Sequence, residues 1–102
     1  MSVIVIYSSN KIGRNEYEHI RSKAGWESNP PEGIVSHACA FDSNGNLLIF
    51  DVWETEAQME KFMSGRIGPV VSQMGLPPPG IKVLPAHNVN VFAPANEFAV
   101  AG

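Results

Sequence analysis

An α+β domain of order β-α-β-β-α-β, four antiparallel strands backed by two helices, is what this sequence predicts. Three observations predict it. A β-branched run, Val3-Ile4-Val5-Ile6-Tyr7, lies near the start of the chain. Two more strand-like runs, Ile34 to Phe41 and Leu47 to Glu54, flank the turn Ser43-Asn44-Gly45-Asn46. Helical spacing occurs once before that hairpin and once after it. Strands and helices in that order give a ferredoxin-like sandwich. The length, 102 residues, suits one domain. The expected domain covers 1–92, followed by a flexible tail of small residues over 93–102.

The elements are justified in turn. The first strand is apolar on both faces, which predicts a central strand covered on both sides. Ser8, Ser9 and Asn10 end it and offer cap oxygens. Tyr17, Ile20 and Ala24 then fall on one face of a helix over Arg14 to Ala24, with Gly25 as its stop. Residues 27–33 read as a linker stiffened by Pro30-Pro31 and released by Gly33. Asn44-Gly45 marks a tight hairpin, since both residues tolerate positive φ. Thr55 and Gln58 have capping-box form for a second helix. Its apolar stripe runs through Met59, Phe62, Met63, Ile67, Val70, Val71 and Met74. Gly65, Gly68 and Pro69 predict a break near 64–68 and a short second segment to Met74. The fourth strand falls within Ile81 to Phe92, and Pro85 and Asn88 place it at an edge.

Both parities of the third strand are apolar: Leu47 and Ile49 on one, Leu48, Phe50 and Val52 on the other. Two helices cover only one face of a sheet. The other would form an exposed apolar patch large enough to be an interface. A twofold homodimer with its sheets face to face closes it, so a charge at either Phe50 or Ile49 would weaken that dimer.

Composition excludes several classes of function. Apolar residues make up 44% of the chain and charged residues 17%, which is globular composition. Seven basic and ten acidic residues give a net charge of −3, without a basic stripe, so neither nucleic acid nor a membrane surface is expected as partner. No apolar run approaches the roughly 20 residues of a membrane span. A single cysteine, Cys39, allows no internal disulfide or cysteine zinc site, and cytoplasmic location is expected. The three histidines show no metal-ligand spacing. Phosphate-cradling glycine motifs and the Gly-x-Ser-x-Gly nucleophile elbow are missing, so no cofactor or metal is expected.

The same order of elements, with Asp51-Val52-Trp53-Glu54-Thr55 leading into the second helix and Phe62 inside it, resembles the dimeric α+β barrel superfamily. That group includes antibiotic-biosynthesis-monooxygenase-like and stress-responsive α/β barrel proteins. Pro30-Pro31-x-Gly33-Ile34, the alanine-flanked stretch that His37 opens, Pro77-Pro78-Pro79 and His87-Asn88-Val89 are similar to a small bacterial subfamily within it. The resemblance spans about residues 3–91 and implies a pocket between sheet and helices in each protomer. It implies cofactor-independent chemistry on a small apolar or aromatic molecule, as a monooxygenase or an acid/base cyclase or isomerase. In the monooxygenase case a base would generate a substrate carbanion that reacts with O₂. The alternative is a non-catalytic dimeric module for small-molecule binding or stress response. The haem-degrading branch has no counterpart for its ligand histidine, because no His lies between 55 and 75. The plant polyketide-cyclase branch places a His late in the last strand, near His87.

Three candidates for proton transfer stand out. His37 lies mid-strand among apolar neighbours, sharing parity with Val35, Cys39 and Phe41. It is either a proton carrier or a core histidine satisfied by a carbonyl or water. Asp51, with the parity of Leu47, Ile49 and Trp53, must find a donor. It could orient a histidine, act as a base, or bond backbone or Arg at the dimer seam. His87 or Asn88 is expected to face the pocket or partner, because parity alternates. Tyr7, Trp53 and Phe62 are the candidate substrate-binding residues, with strand-to-helix packing the other reading of Trp53. His19 is read as solvated.

Overall fold

The computed structural model describes residues 1–92, so the tail expected over 93–102 lies outside the described residues. Four strands form one antiparallel sheet: β1 (Val3–Ser9), β2 (Ile34–Phe41), β3 (Leu47–Trp53) and β4 (Gly80–Pro85), in the order β2-β3-β1-β4. The first helix, α1, spans Arg14–Ala24. The second helical run has three parts: α2 (Glu56–Phe62), a π-helical turn (Met63–Ile67) and α3 (Gly68–Gln73). This is the ferredoxin-like α+β fold, with the β-branched first strand in an interior position and β4 at an edge.

Side-chain alternation divides the sheet. Val3, Val5 and Tyr7 of β1 and Leu47, Asp51 and Trp53 of β3 are buried toward the helices. Tyr17, Ile20 and Ala24 of α1, Met59 of α2, Ile67 of the π turn and Val71 of α3 complete the core. Ile49 therefore faces the helices. Phe50, on the opposite parity, remains 48% exposed, and Leu84 beside Ile4 is 40% exposed. The covering expected on both sides of β1 is present on one side only within the protomer.

Local details depart from the sequence pattern in four places. The first helix is capped at Gly13, whose N–H donates to the Glu16 carboxylate at 2.9 Å, and not by Ser8, Ser9 or Asn10. Those residues are held earlier, since β1 runs to Ser9 and the Ser9 hydroxyl accepts from Lys11 N–H at 3.0 Å. In the β2–β3 hairpin only Gly45 takes positive φ, at 79°. Asp42 organises that turn, its Oδ1 accepting from the backbone N–H of Asn44 and Asn46 at 2.9 Å each. The helix does not break at 64–68. It widens into the π turn, with Gly68 N–H donating to Met63 C=O. Finally, β4 begins one residue before the expected stretch and ends at Pro85, so the strand alternation expected of His87 and Asn88 does not reach them, and Ala86 N–H makes a last bond to Ser2 C=O at 2.9 Å.

The linker returns to the sheet through Gly33 at φ 94°, where any Cβ would collide with the Gln58 side chain. Gln58 is itself fixed because Thr55 Oγ1 accepts from its backbone N–H at 3.2 Å, the expected cap. Among the described residues, no helix is long and apolar enough to cross a membrane.

Candidate active site

A β-bulge aims the central histidine. Ile34 pairs with Trp53, but Ser36 pairs with Val52, so the ladder slips by one residue at Val35. Beyond the slip His37 lies opposite Asp51, on the face toward the helices. An unbroken register would have set it opposite Phe50, on the open face. Val35 consequently does not share the orientation of His37 and is exposed.

Asp51 sits between two strands, opposite His37 on β2 and Val5 on β1. It is 6% exposed, the one buried charged residue among those described. Both of its oxygens are engaged. His37 Nδ1 is 2.7 Å from Oδ1, and Trp53 Nε1 donates to Oδ2 at 3.3 Å. A carboxylate has only acceptors to offer, so His37 Nδ1 carries a proton, and the neutral ring is held in one tautomer. The other ring nitrogen, Nε2, lies 2.7 Å from the hydroxyl of Tyr17 on α1. A chain of hydrogen bonds thus runs Trp53–Asp51–His37–Tyr17, across two strands and a helix. Trp26, its ring centroid 5.2 Å from that of His37, packs beside the pair from the segment after α1.

These groups border a cavity of about 100 Å³. Its walls are otherwise almost wholly apolar, from Ile12, Ile20, Ile49, Met63, Ile67 and Val71 among others. No lysine or arginine lines it. A volume of this order holds one ring and falls below the roughly 300 Å³ of drug-sized pockets. Pro31 and Phe62 also border an outer groove of about 560 Å³, formed with Asn29, Gly65 and Arg66 among others. The Arg66 guanidinium lies over the Phe62 ring at 5.0 Å and bonds the Ala24 carbonyl, joining the π turn to the end of α1.

Burial raises the phenol of Tyr7 well above its ordinary range, with the charge of Asp51 adding to the effect. Burial likewise raises the phenol of Tyr17. Neither phenol exists as a standing phenolate at neutral pH. The Tyr7 hydroxyl is buried without a hydrogen-bond partner among the described residues. Cys39, half-buried on β2, has its thiol pushed up by desolvation and is no ready nucleophile.

Of the residues singled out in the sequence, His37, Asp51, Tyr7, Trp53 and Phe62 border this one cavity. Trp53 also plays its packing part, fully buried with its ring centroid 5.6 Å from that of Phe62. His87 is not brought to the site. It stands exposed beyond Pro85, where strand alternation no longer applies, and Asn88 is exposed with it. His19 is exposed on α1, in keeping with a solvated position. Sequence reasoning misses Tyr17 and Trp26 as site residues. Periodicity reads Tyr17 only as a core residue of α1, and the signal available is its polar tip on an otherwise apolar helix face. Among the described residues, no three of His, Cys, Asp and Glu gather as a metal site would require.

No family model matches the sequence, and no curated protein does. Solved structures do match in fold. A mutant form of SnoaB, a cofactor-independent oxygenase from Streptomyces nogalater, is 13% identical with a TM-score of 0.65, over 86% of this chain and 95% of that one. Rv0793 from Mycobacterium tuberculosis is 14% identical with a TM-score of 0.67, over 89% and 100%. A candidate antibiotic biosynthesis monooxygenase from Chloroflexus aurantiacus is 10% identical with a TM-score of 0.64, over 91% and 100%. The neighbours thus include a cofactor-independent oxygenase and a candidate antibiotic biosynthesis monooxygenase, in agreement with the resemblance noted in the sequence, and at these identities the likeness is one of fold.

Proposed function

We propose that the protein is a cofactor-independent acid/base enzyme acting on a small, uncharged apolar or aromatic molecule. The observation that carries this reading is the Asp51–His37 pair, 2.7 Å apart, at the edge of an otherwise apolar cavity. A buried carboxylate beside the Nδ1–H side of an imidazole steadies the imidazolium that forms when the ring accepts a proton. His37 is the proton carrier, Asp51 its orienting partner, and Trp53 fixes Asp51. Tyr7, Trp53 and Phe62 border the ligand. With one ring in the inner cavity, a longer substrate extends past Pro31 and Phe62 into the outer groove. The negative charge of Asp51 and the lack of a cation lining the inner cavity disfavour an anionic group there. Enolate formation of this kind serves isomerisation or cyclisation directly, and with O₂ as second substrate it serves oxygenation, the activity named for SnoaB.

The partner proposed for the open sheet face is a second copy of this chain. That face carries Phe50 and Leu84 exposed, with Ile4, Ile6, Leu48 and Val52 half-buried beside them. A self-complementary face of this kind closes by twofold symmetry.

The test uses a panel of uncharged ring ketones and phenols in D₂O, with the wild-type protein and His37→Ala. The reading expects wild-type acceleration of deuterium entry on at least one compound, lost in a His37→Ala protein that still folds. Binding without exchange across the panel would leave the second reading, a non-catalytic binding module. That reading is favoured by the fact that both His37 nitrogens already have partners within the protein.

A further inference from the structure

His37 has no free nitrogen. Nδ1 faces Asp51 Oδ1 at 2.7 Å and Nε2 faces the Tyr17 hydroxyl at 2.7 Å. A substrate in the cavity therefore cannot reach the imidazole lone pair without displacing Tyr17. That residue is only 8% exposed and is held by more than one contact. Its ring meets Phe41 edge-on at 6.1 Å between centroids and lies 5.9 Å from that of Trp26. In the neutral imidazole Nδ1 carries the one ring proton, so Nε2 accepts and the Tyr17 O–H donates. The phenol oxygen keeps lone pairs of its own, and Tyr17 borders the cavity beside His37.

We infer that Tyr17 is the catalytic residue that touches the substrate, receiving its proton while passing its own to His37. The inference rests on the acid/base reading above and names the group through which it works. In the step, a C–H bond next to a substrate carbonyl breaks and its proton bonds to the Tyr17 oxygen. The Tyr17 O–H bond breaks and that proton bonds to Nε2. The electron pair stays on the substrate as an enolate, and the imidazolium is paired with the Asp51 carboxylate. Tyr17 ends neutral, as it began, so the step needs no standing phenolate. This accords with a buried phenol whose ionisation is suppressed. The titratable and charged groups around Tyr17 are His37 and Cys39 on β2 and Glu18 and Arg21 on its own helix.

The experiment follows deuterium entry into 2-indanone, an uncharged fused-ring ketone, by NMR in D₂O, with binding read from its shift perturbations. Wild type is expected to accelerate exchange. Tyr17→Phe and His37→Gln are each expected to lower that acceleration about 100-fold with 2-indanone still bound. If Tyr17→Phe exchanges at the wild-type rate or faster while His37→Gln is slow, the imidazole takes the proton itself. The inference on Tyr17 then falls, and the acid/base reading stands. If wild type does not exceed solvent exchange, or His37→Gln matches wild type, both fall. Should Tyr17→Phe fail to fold, 3-fluorotyrosine at position 17 keeps the shape with a more acidic phenol. A shifted rate–pH profile supports the inference, and an unchanged one overturns it.

Discussion

The two faces of one sheet have opposite characters. On the covered face, Val5 and Trp53 are fully buried, Tyr7 is 3% exposed and Asp51 is 6% exposed. Both Asp51 oxygens there belong to the hydrogen-bond chain with His37 and Trp53. On the open face Phe50 is 48% exposed, its neighbours across the strands are Ile6 and Ala38, and the charge on that face, Lys82 opposite Ile6 on β4, stands exposed to solvent. The difference teaches that hydrophobicity alone does not locate chemistry in a small α+β domain. Both faces are greasy, but only the covered one buries a carboxylate and sets a half-buried imidazole against it, where their interaction is stronger than in water. The open face is suited to burial against a like surface.

The largest expected contrast is in stability. Trp53→Ala removes a fully buried ring from the covered face and should cost about 4 kcal/mol of unfolding free energy by denaturant titration. Phe50→Asp, on the other face, should leave the protomer folded but abolish the proposed dimer by sedimentation velocity. An unchanged dimer would break the contrast. The next effect lies within the covered face. Asp51→Ala strands the His37 Nδ1–H and Trp53 Nε1–H donors and should cost about 2 kcal/mol. An unchanged unfolding midpoint would show that those donors find other partners.

The smallest effect is at the surface. Arg21 bonds Glu27 and Glu18, and the hydrogen bond from Arg21 holds the Glu27 carboxyl below its ordinary range. A depressed carboxyl contributes stability above its unfolded pKa and loses it as pH falls through the folded value. Glu27→Gln should therefore cost about 0.5 kcal/mol at neutral pH, given that Glu27 is half-exposed, and nothing in strong acid. Equal losses at both pH values would refute the electrostatic origin.

What is legible in the sequence follows the physics of each element. The bounds of α1 are readable because Gly25 ends it in the left-handed region at φ 62°, and those of β2 and β3 because a turn separates two apolar runs. Asp51, Trp53 and Tyr7 are readable by strand parity. His37 reaches the covered face for a reason parity does not contain, the slip at Val35, which leaves no mark in composition. The π turn is hidden because Gly65, Gly68 and Pro69 argue for a break, and a widened turn meets the same constraints without one. Parity misplaces His87 because strand pairing ends at Pro85. Tyr17 is masked by its own dual nature, since helical periodicity registers its ring and not its hydroxyl.

The most direct measurement is the ¹⁵N NMR spectrum of the His37 ring at neutral pH. For the neutral ring, Asp51 on one side and Tyr17 on the other set the Nδ1–H tautomer, with Nε2 as the acceptor. Tyr17→Phe should shift the Nε2 resonance and leave Nδ1 in place. A ring carrying its proton on Nε2, or interchanging freely between the two tautomers, would contradict the hydrogen-bond chain on which the site is built.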